Sequence, residues 1–172
     1  MYLKNLKKFF GMGQEEVRRI KAIFADLKIE PTYLVHEAVI TSEEAARTRG
    51  FALKQGIKAI LFTNDTKEWV VVDVPADKKV DTKKFAEQLG WSKGKIRMAT
   101  PEEVLEKTNC EVGAVPPFGH KETLPILVDT RVYENQESAF NIGLRTHSVK
   151  VKTIWMKDVF ETVNAREGTF SK

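Results

Sequence analysis

Apolar and polar positions along the 172-residue chain recur with two periods, about 3.6 and 2, and their order predicts helices alternating with strands. Over residues 14–27, Val17, Ile20, Phe24 and Leu27 fall on one helical face, while Glu15, Arg18, Lys21 and Lys28 lie elsewhere. Pro31 stops that helix, and a short strand is expected over 33–36. Thr41-Ser42-Glu43-Glu44 has the spacing of a capping box and opens a helix that Gly50 closes. The β-rich runs 58–63 and 69–74 flank Asn64-Asp65-Thr66-Lys67, which is turn chemistry, so a hairpin is expected.

Asp81 caps a helix over 80–89 that Gly90 ends, and a short strand follows at 95–99. Thr100-Pro101-Glu102-Glu103 is the clearest helix start: Thr caps, Pro takes the first turn and Glu completes the box, with an end near Asn109. Buried-type strands are expected at 124–129, 138–142 and 147–151, and a last helix at 155–163. The polar tail from Asn164 is expected to fray. With no repeat or linker, the pattern gives one α+β domain over residues 14–163 with a mixed sheet, an extension over 1–13 and a tail over 164–172.

Composition narrows the picture only a little. The net charge of +4 permits a polyanionic partner without requiring one. Lys78, Lys79, Lys83, Lys84, Lys93 and Lys95 cluster around one helix, either as a solvated face or as a track for a sugar-phosphate backbone. The lone Cys110 excludes an internal disulfide and fits a reducing, cytoplasmic setting. No apolar run is long enough to span a bilayer, and the N-terminus lacks a signal-peptide core. Leu3, Leu6, Phe9 and Phe10 make the extension either a helix packed on its own domain or a partner-binding segment. A monomer is the default.

Candidate chemistry is sparse. His36, His120 and His147 lack metal-ligand spacing, so no metal is expected. Cys110 has no adjacent base and reads as a buried thiol, and neither a nucleophile elbow nor a phosphate loop is present. The stretch from Val112 to His120 stands apart. Two glycines and two adjacent prolines make a stiff loop whose backbone can approach a ligand and bind an oxyanion, against the plainer reading of a helix–strand connection. Lys58, at the head of an apolar strand, is either a snorkelling edge residue or a functional cation. Asp129 is a strand-end turn former or an orienting acceptor, and His147 a structural residue or a catalyst.

Together these segments are similar to the YbaK/ProX family of trans-editing aminoacyl-tRNA deacylases and to the editing domain inserted in bacterial prolyl-tRNA synthetases. The resemblance is carried by His36-Glu-Ala-Val-Ile-Thr41-Ser-Glu-Glu-Ala-Ala46, Ile57-Lys58-Ala-Ile-Leu-Phe62 and Val72-Asp-Val-Pro75-Ala-Asp77-Lys-Lys-Val80-Asp81. It continues through Ala99-Thr-Pro-Glu-Glu-Val104, Val112-Gly113-Ala-Val-Pro-Pro117-Phe-Gly119 and Leu124-Pro-Ile-Leu-Val-Asp129, covering residues 14–163. It implies a barrel-like mixed sheet with flanking helices, no metal or other cofactor, and hydrolysis of the ester at the 3′ acceptor end of aminoacyl-tRNA. A synthetase is an additional implied partner, and a non-catalytic tRNA- or synthetase-binding module is the competing expectation.

By the same resemblance, Lys58, Gly113 and His147 are the expected catalytic residues. Ala114, Val115, Pro116, Pro117, Gly119, Asp129, Asn141, His36 and Thr41 are expected around the substrate. The Pro116-Pro117-Phe118 and Phe140-Asn141-Ile142-Gly143 segments depart from the form associated with alanyl-tRNA charged on the proline isoacceptor. The amino acid is therefore left open among Ala, Ser, Thr, Cys and Pro.

Overall fold

The computed structural model describes residues 11–172; the apolar positions of the extension up to Phe10 lie outside the described residues. Helix α1 (Gln14–Asp26) turns Val17, Ile20 and Phe24 inward, as their spacing requires. Strand β1 (Thr32–Val35) leads to α2 (Ser42–Arg49), where Thr41 and Glu44 form the expected reciprocal box. Strands β2 (Ile57–Thr63) and β3 (Trp69–Pro75) pair antiparallel as the hairpin. Helix α3 (Thr82–Leu89), the two-residue β4 (Arg97–Met98) and α4 (Pro101–Thr108) follow. Then come β5 (Ile126–Asp129), β6 (Glu137–Asn141), β7 (His147–Lys152), α5 (Thr153–Thr162) and β8 (Arg166–Gly168).

Five strands form a mixed sheet in the order β4-β2-β3-β5-β8, and three form an antiparallel sheet in the order β1-β7-β6. A single bridge between Gly56 and Ala139 joins the sheets, which meet without closing into a complete barrel. Strand β3 is buried on both faces, so its valines read as a continuous run. Val71 faces a large core containing Phe24, Phe118, Phe140 and Phe160. Val70, Val72 and Val74 face a smaller core with Phe62, Phe85, Leu127 and Phe170.

The tail corrects the expectation of fraying. Residues 166–168 add β8 in parallel to β5, and Phe170, only 1% exposed, fills the smaller core. The Phe170 N–H donates to Asp129 Oδ2 at 2.8 Å, and Lys79 and Lys172 exchange backbone hydrogen bonds. Arg166-Glu167-Gly168 carries no apolar alternation because the strand is held through its backbone and by one aromatic plug. No described helix is long and apolar enough to cross a membrane.

Candidate active site between α2, β2 and the Gly113 loop

The loop after α4 is pinned from several directions. Arg145 donates from Nε and Nη2 to Val112 O at 3.0 and 2.7 Å and pairs with Glu111 at 2.6 Å. His120 Nε2 lies 2.7 Å from Pro116 O, and Arg19 Nε donates to Gly119 O at 3.1 Å. Phe118 is fully buried edge-on to Phe24, Phe140 and Phe160, with ring centres 5.7–6.2 Å apart. The bulky Pro-Pro-Phe run is thus a core anchor that fixes the loop. Burial takes the His120 imidazole down to a pKa of about 4, so it is neutral at physiological pH.

Gly113, at the free end of this loop, has φ +87, and a Cβ there would stand 2.8 Å from Ile40 O. Only glycine lets the loop approach the segment preceding α2 this closely. The Gly113 carbonyl accepts from Asn141 Nδ2, and Asn141 Oδ1 lies 2.9 Å from Ser148 Oγ. Ser148 Oγ is in turn 2.7 Å from His36 Nε2, whose Nδ1 faces Glu37 O at 2.7 Å. A chain of side chains from β7, β6 and the β1 end therefore supports the Gly113 carbonyl, at the end of the loop that faces the cavity.

These elements enclose a cavity of about 70 Å³ lined by Thr41, Arg49, Lys58, Gly113, Val115 and Asn141, among others. Five expected site residues thus share one space: Lys58, Gly113, Val115, Asn141 and Thr41. Thr41 Oγ1 accepts the Glu44 N–H at 3.1 Å, so its oxygen also serves the helix start. Lys58 is half-buried, and desolvation lowers its pKa from the ordinary lysine value. Glu43 and Asp77 act against that shift, and Lys79 adds to it. A wider groove of about 670 Å³, lined by Tyr133, Glu137, Lys152 and Lys157 among others, contains none of the expected residues.

The remaining expected residues lie elsewhere. Ala114, Pro116 and Pro117 are buried in the loop, and neither they nor Gly119 line the cavity. Asp129 is structural: Oδ1 accepts from Arg131 N and Oδ2 from Phe170 N, both at 2.8 Å. His36 reaches the cavity only through Ser148 and Asn141. His147 shares the parity of core residues Val149 and Val151, and its Nδ1 lies 2.7 Å from Thr146 Oγ1. Successive strand residues point to opposite faces, so Ser148 rather than His147 joins the supporting chain. Burial, with Lys21 and His36 nearby, lowers the His147 pKa. Ser148 and Arg49 escaped the sequence reading, since a serine in a strand and an arginine in a last helical turn carry no local signal of a site.

A pinned loop, a half-buried lysine and an asparagine carboxamide thus surround one small cavity. Residues 36–158 match the aminoacyl-tRNA editing domain model, and the chain belongs to that family. It is 33% identical over 145 residues, 82% of this chain and 86% of the relative, to the multifunctional Ser/Thr-tRNA deacylase ProXp-y of Escherichia coli K12. It is also 33% identical over 86 residues to a proline–tRNA ligase of Pelobacter propionicus, covering 50% of this chain and 15% of that enzyme. Among solved structures, hypothetical protein APE2540 superposes with a TM-score of 0.79 at 19% identity, covering 90% of this chain and 99% of that one. A protein provisionally described as a trans-editing enzyme for prolyl-tRNA synthetase gives 0.76 at 23%, covering 91% and 97%. These two likenesses establish the fold.

Proposed function

We propose that this protein hydrolyses the ester joining a small or medium amino acid to the 3′ end of a mischarged tRNA. The observation that carries the reading is the meeting of Lys58, Gly113 and Asn141 around one cavity in a chain of the editing family. An aminoacyl ester is already activated, so placing a water and stabilising the tetrahedral oxyanion supply most of the required catalysis. Water adds to the carbonyl carbon, the bond to the ribose 3′ oxygen breaks, and that oxygen takes up the proton the water loses. The loop backbone at Gly113 approaches the ester carbonyl, with Asn141 and its supporting chain fixing the distance. Lys58 meets the phosphate of the terminal nucleotide as a point charge. Lys79, near Lys58, extends the positive field towards the acceptor strand.

A cavity of about 70 Å³ favours a compact aminoacyl group. The relative named as a Ser/Thr-tRNA deacylase puts serine and threonine first, followed by alanine, cysteine and proline. A cavity separates substrates differing by one methylene by only about 10–200-fold, so a second hydrolytic sieve is useful to a synthetase. The test is a deacylation screen of the purified protein against tRNAs charged with these five amino acids. Hydrolysis above the buffer rate for at least one supports the reading. Binding of tRNA or synthetase without hydrolysis of any member replaces it with the non-catalytic module.

A further inference from the structure

Arg49, the last residue of α2, lines the cavity, as does Lys58 on β2. Its Nε donates to Ala45 O at 3.1 Å, which ties the side chain back over its own helix. Its Nη1 is sealed from solvent and has no hydrogen-bond partner among the described residues. No carboxylate among the described residues lies within ion-pair distance of the guanidinium. Burial without a counter-ion brings the Arg49 pKa down to about 10, so the group remains a cation at neutral pH. A buried charge with an unfilled donor is costly in isolation and is ordinarily matched by an acceptor.

Among the described residues no aspartate or glutamate lines the cavity, while Arg49 and Lys58 both do, with Glu43 and Asp77 acting on Lys58 from outside it. A phosphate oxygen has the sign opposite to the two cations and suits the planar donor edge of a guanidinium. Resting on the deacylase reading for the identity of its occupant, we infer that Arg49 and Lys58 form a two-cation subsite. That subsite takes the phosphate on the 5′ side of the terminal nucleotide, with Arg49 as its hydrogen-bonding half.

The test titrates the full chain with adenosine 5′-monophosphate, adenosine and inorganic phosphate, followed by NMR, beside steady-state deacylation. The monophosphate is expected to bind more tightly than adenosine. Arg49→Met is expected to weaken the monophosphate about 10–100-fold, the range for a lost hydrogen bond to a charged group, and to leave adenosine unchanged. Arg49→Lys should restore part of the loss, and in deacylation Arg49→Met should raise KM more than it lowers kcat. Removing an unpaired buried charge should leave the melting temperature unchanged or raise it. Arg49→Gln provides a second neutral variant if Arg49→Met does not fold.

Monophosphate affinity indifferent to Arg49, or absent in the wild type, overturns the subsite. Inorganic phosphate binding as tightly as the monophosphate overturns its assignment to the nucleotide end. A wild-type protein that deacylates no tRNA but loses monophosphate affinity on Arg49→Met removes the deacylase reading and keeps the anion site. An active deacylase whose KM and monophosphate affinity ignore Arg49→Met removes the subsite alone.

Discussion

Replacing Gly113 with alanine tests the close approach of the loop to the cavity, and its cost can be divided into two parts. The first is the left-handed backbone, φ +87, which costs a residue bearing a Cβ about 1–2 kcal/mol. The second is the contact of the new Cβ with Ile40 O at 2.8 Å, which forces the loop or the Ile40 backbone to move. Such overpacking typically costs about 1–3 kcal/mol. Gly90 isolates the first part: its φ is +70, and a Cβ there meets nothing within 4 Å.

For a chain of this length each kcal/mol moves the melting temperature by about 2–4 °C. Gly90→Ala should therefore lower it by about 2–8 °C, and Gly113→Ala by roughly 2–12 °C more. The kinetic effect should separate the variants further. Displacing reacting groups by about 1 Å costs up to about 10²-fold, so single-turnover deacylation should fall about 10–100-fold in Gly113→Ala and stay at the wild-type rate in Gly90→Ala. Differential scanning calorimetry and a quench assay with radiolabelled aminoacyl-tRNA measure the two effects. Equal melting shifts together with an unchanged rate in Gly113→Ala would falsify the role of the Gly113–Ile40 approach.

Three further outcomes follow from other parts of the molecule. Ser148→Ala should lower the deacylation rate while leaving the core intact, because it cuts the chain from His36 to the Asn141 carboxamide; a wild-type rate would show that Asn141 holds Gly113 without help. Asp73 is fully buried with neither carboxylate oxygen partnered among the described residues, and burial raises its pKa well above the ordinary value. The folded state therefore holds its proton more tightly than the unfolded state, so its contribution is fully present below the unfolded pKa of about 4 and is lost as pH rises through the folded pKa. Asp73→Val should accordingly raise the melting temperature by more at pH 7 than at pH 4, and an equal gain at both contradicts the assignment. Phe170→Ala should cost about 3–5 kcal/mol in chemical denaturation, as for other buried aromatic truncations, and a near-neutral result contradicts the packing of the tail in the smaller core.

Much of the fold could be read locally because its helix starts use side-chain chemistry that sequence displays. Both capping boxes, at Thr41–Glu44 and Thr100–Glu103, form as written, and Gly50 and Gly90 close their helices in the left-handed conformation. The β2–β3 hairpin was equally legible, since Asn64 Oδ1 accepts from Thr66 N and Glu68 N to fold the turn. Strand β8 was not, because three polar residues held by backbone bonds carry no periodicity.

The site divides in the same way. Lys58 and the Gly113 loop stood out in the residues themselves, Asn141 came from the resemblance over residues 14–163, and the fold gathers all three around one cavity. His147 and Ser148 are adjacent in sequence but on opposite faces of β7, a distinction that depends on the register against β1 and β6. Arg49 becomes visible only once α2 is placed against β2, because an arginine in a last helical turn is ordinarily explained by the helix dipole.

The most direct test of the account is single-turnover deacylation of the best substrate from the five-member panel by wild type and Lys58→Ala, with melting temperatures measured on the same preparations. The account predicts hydrolysis by the wild type, its loss in Lys58→Ala, and matching melting temperatures, since the half-buried Lys58 makes no ion pair among the described residues. Undiminished hydrolysis by Lys58→Ala would contradict it.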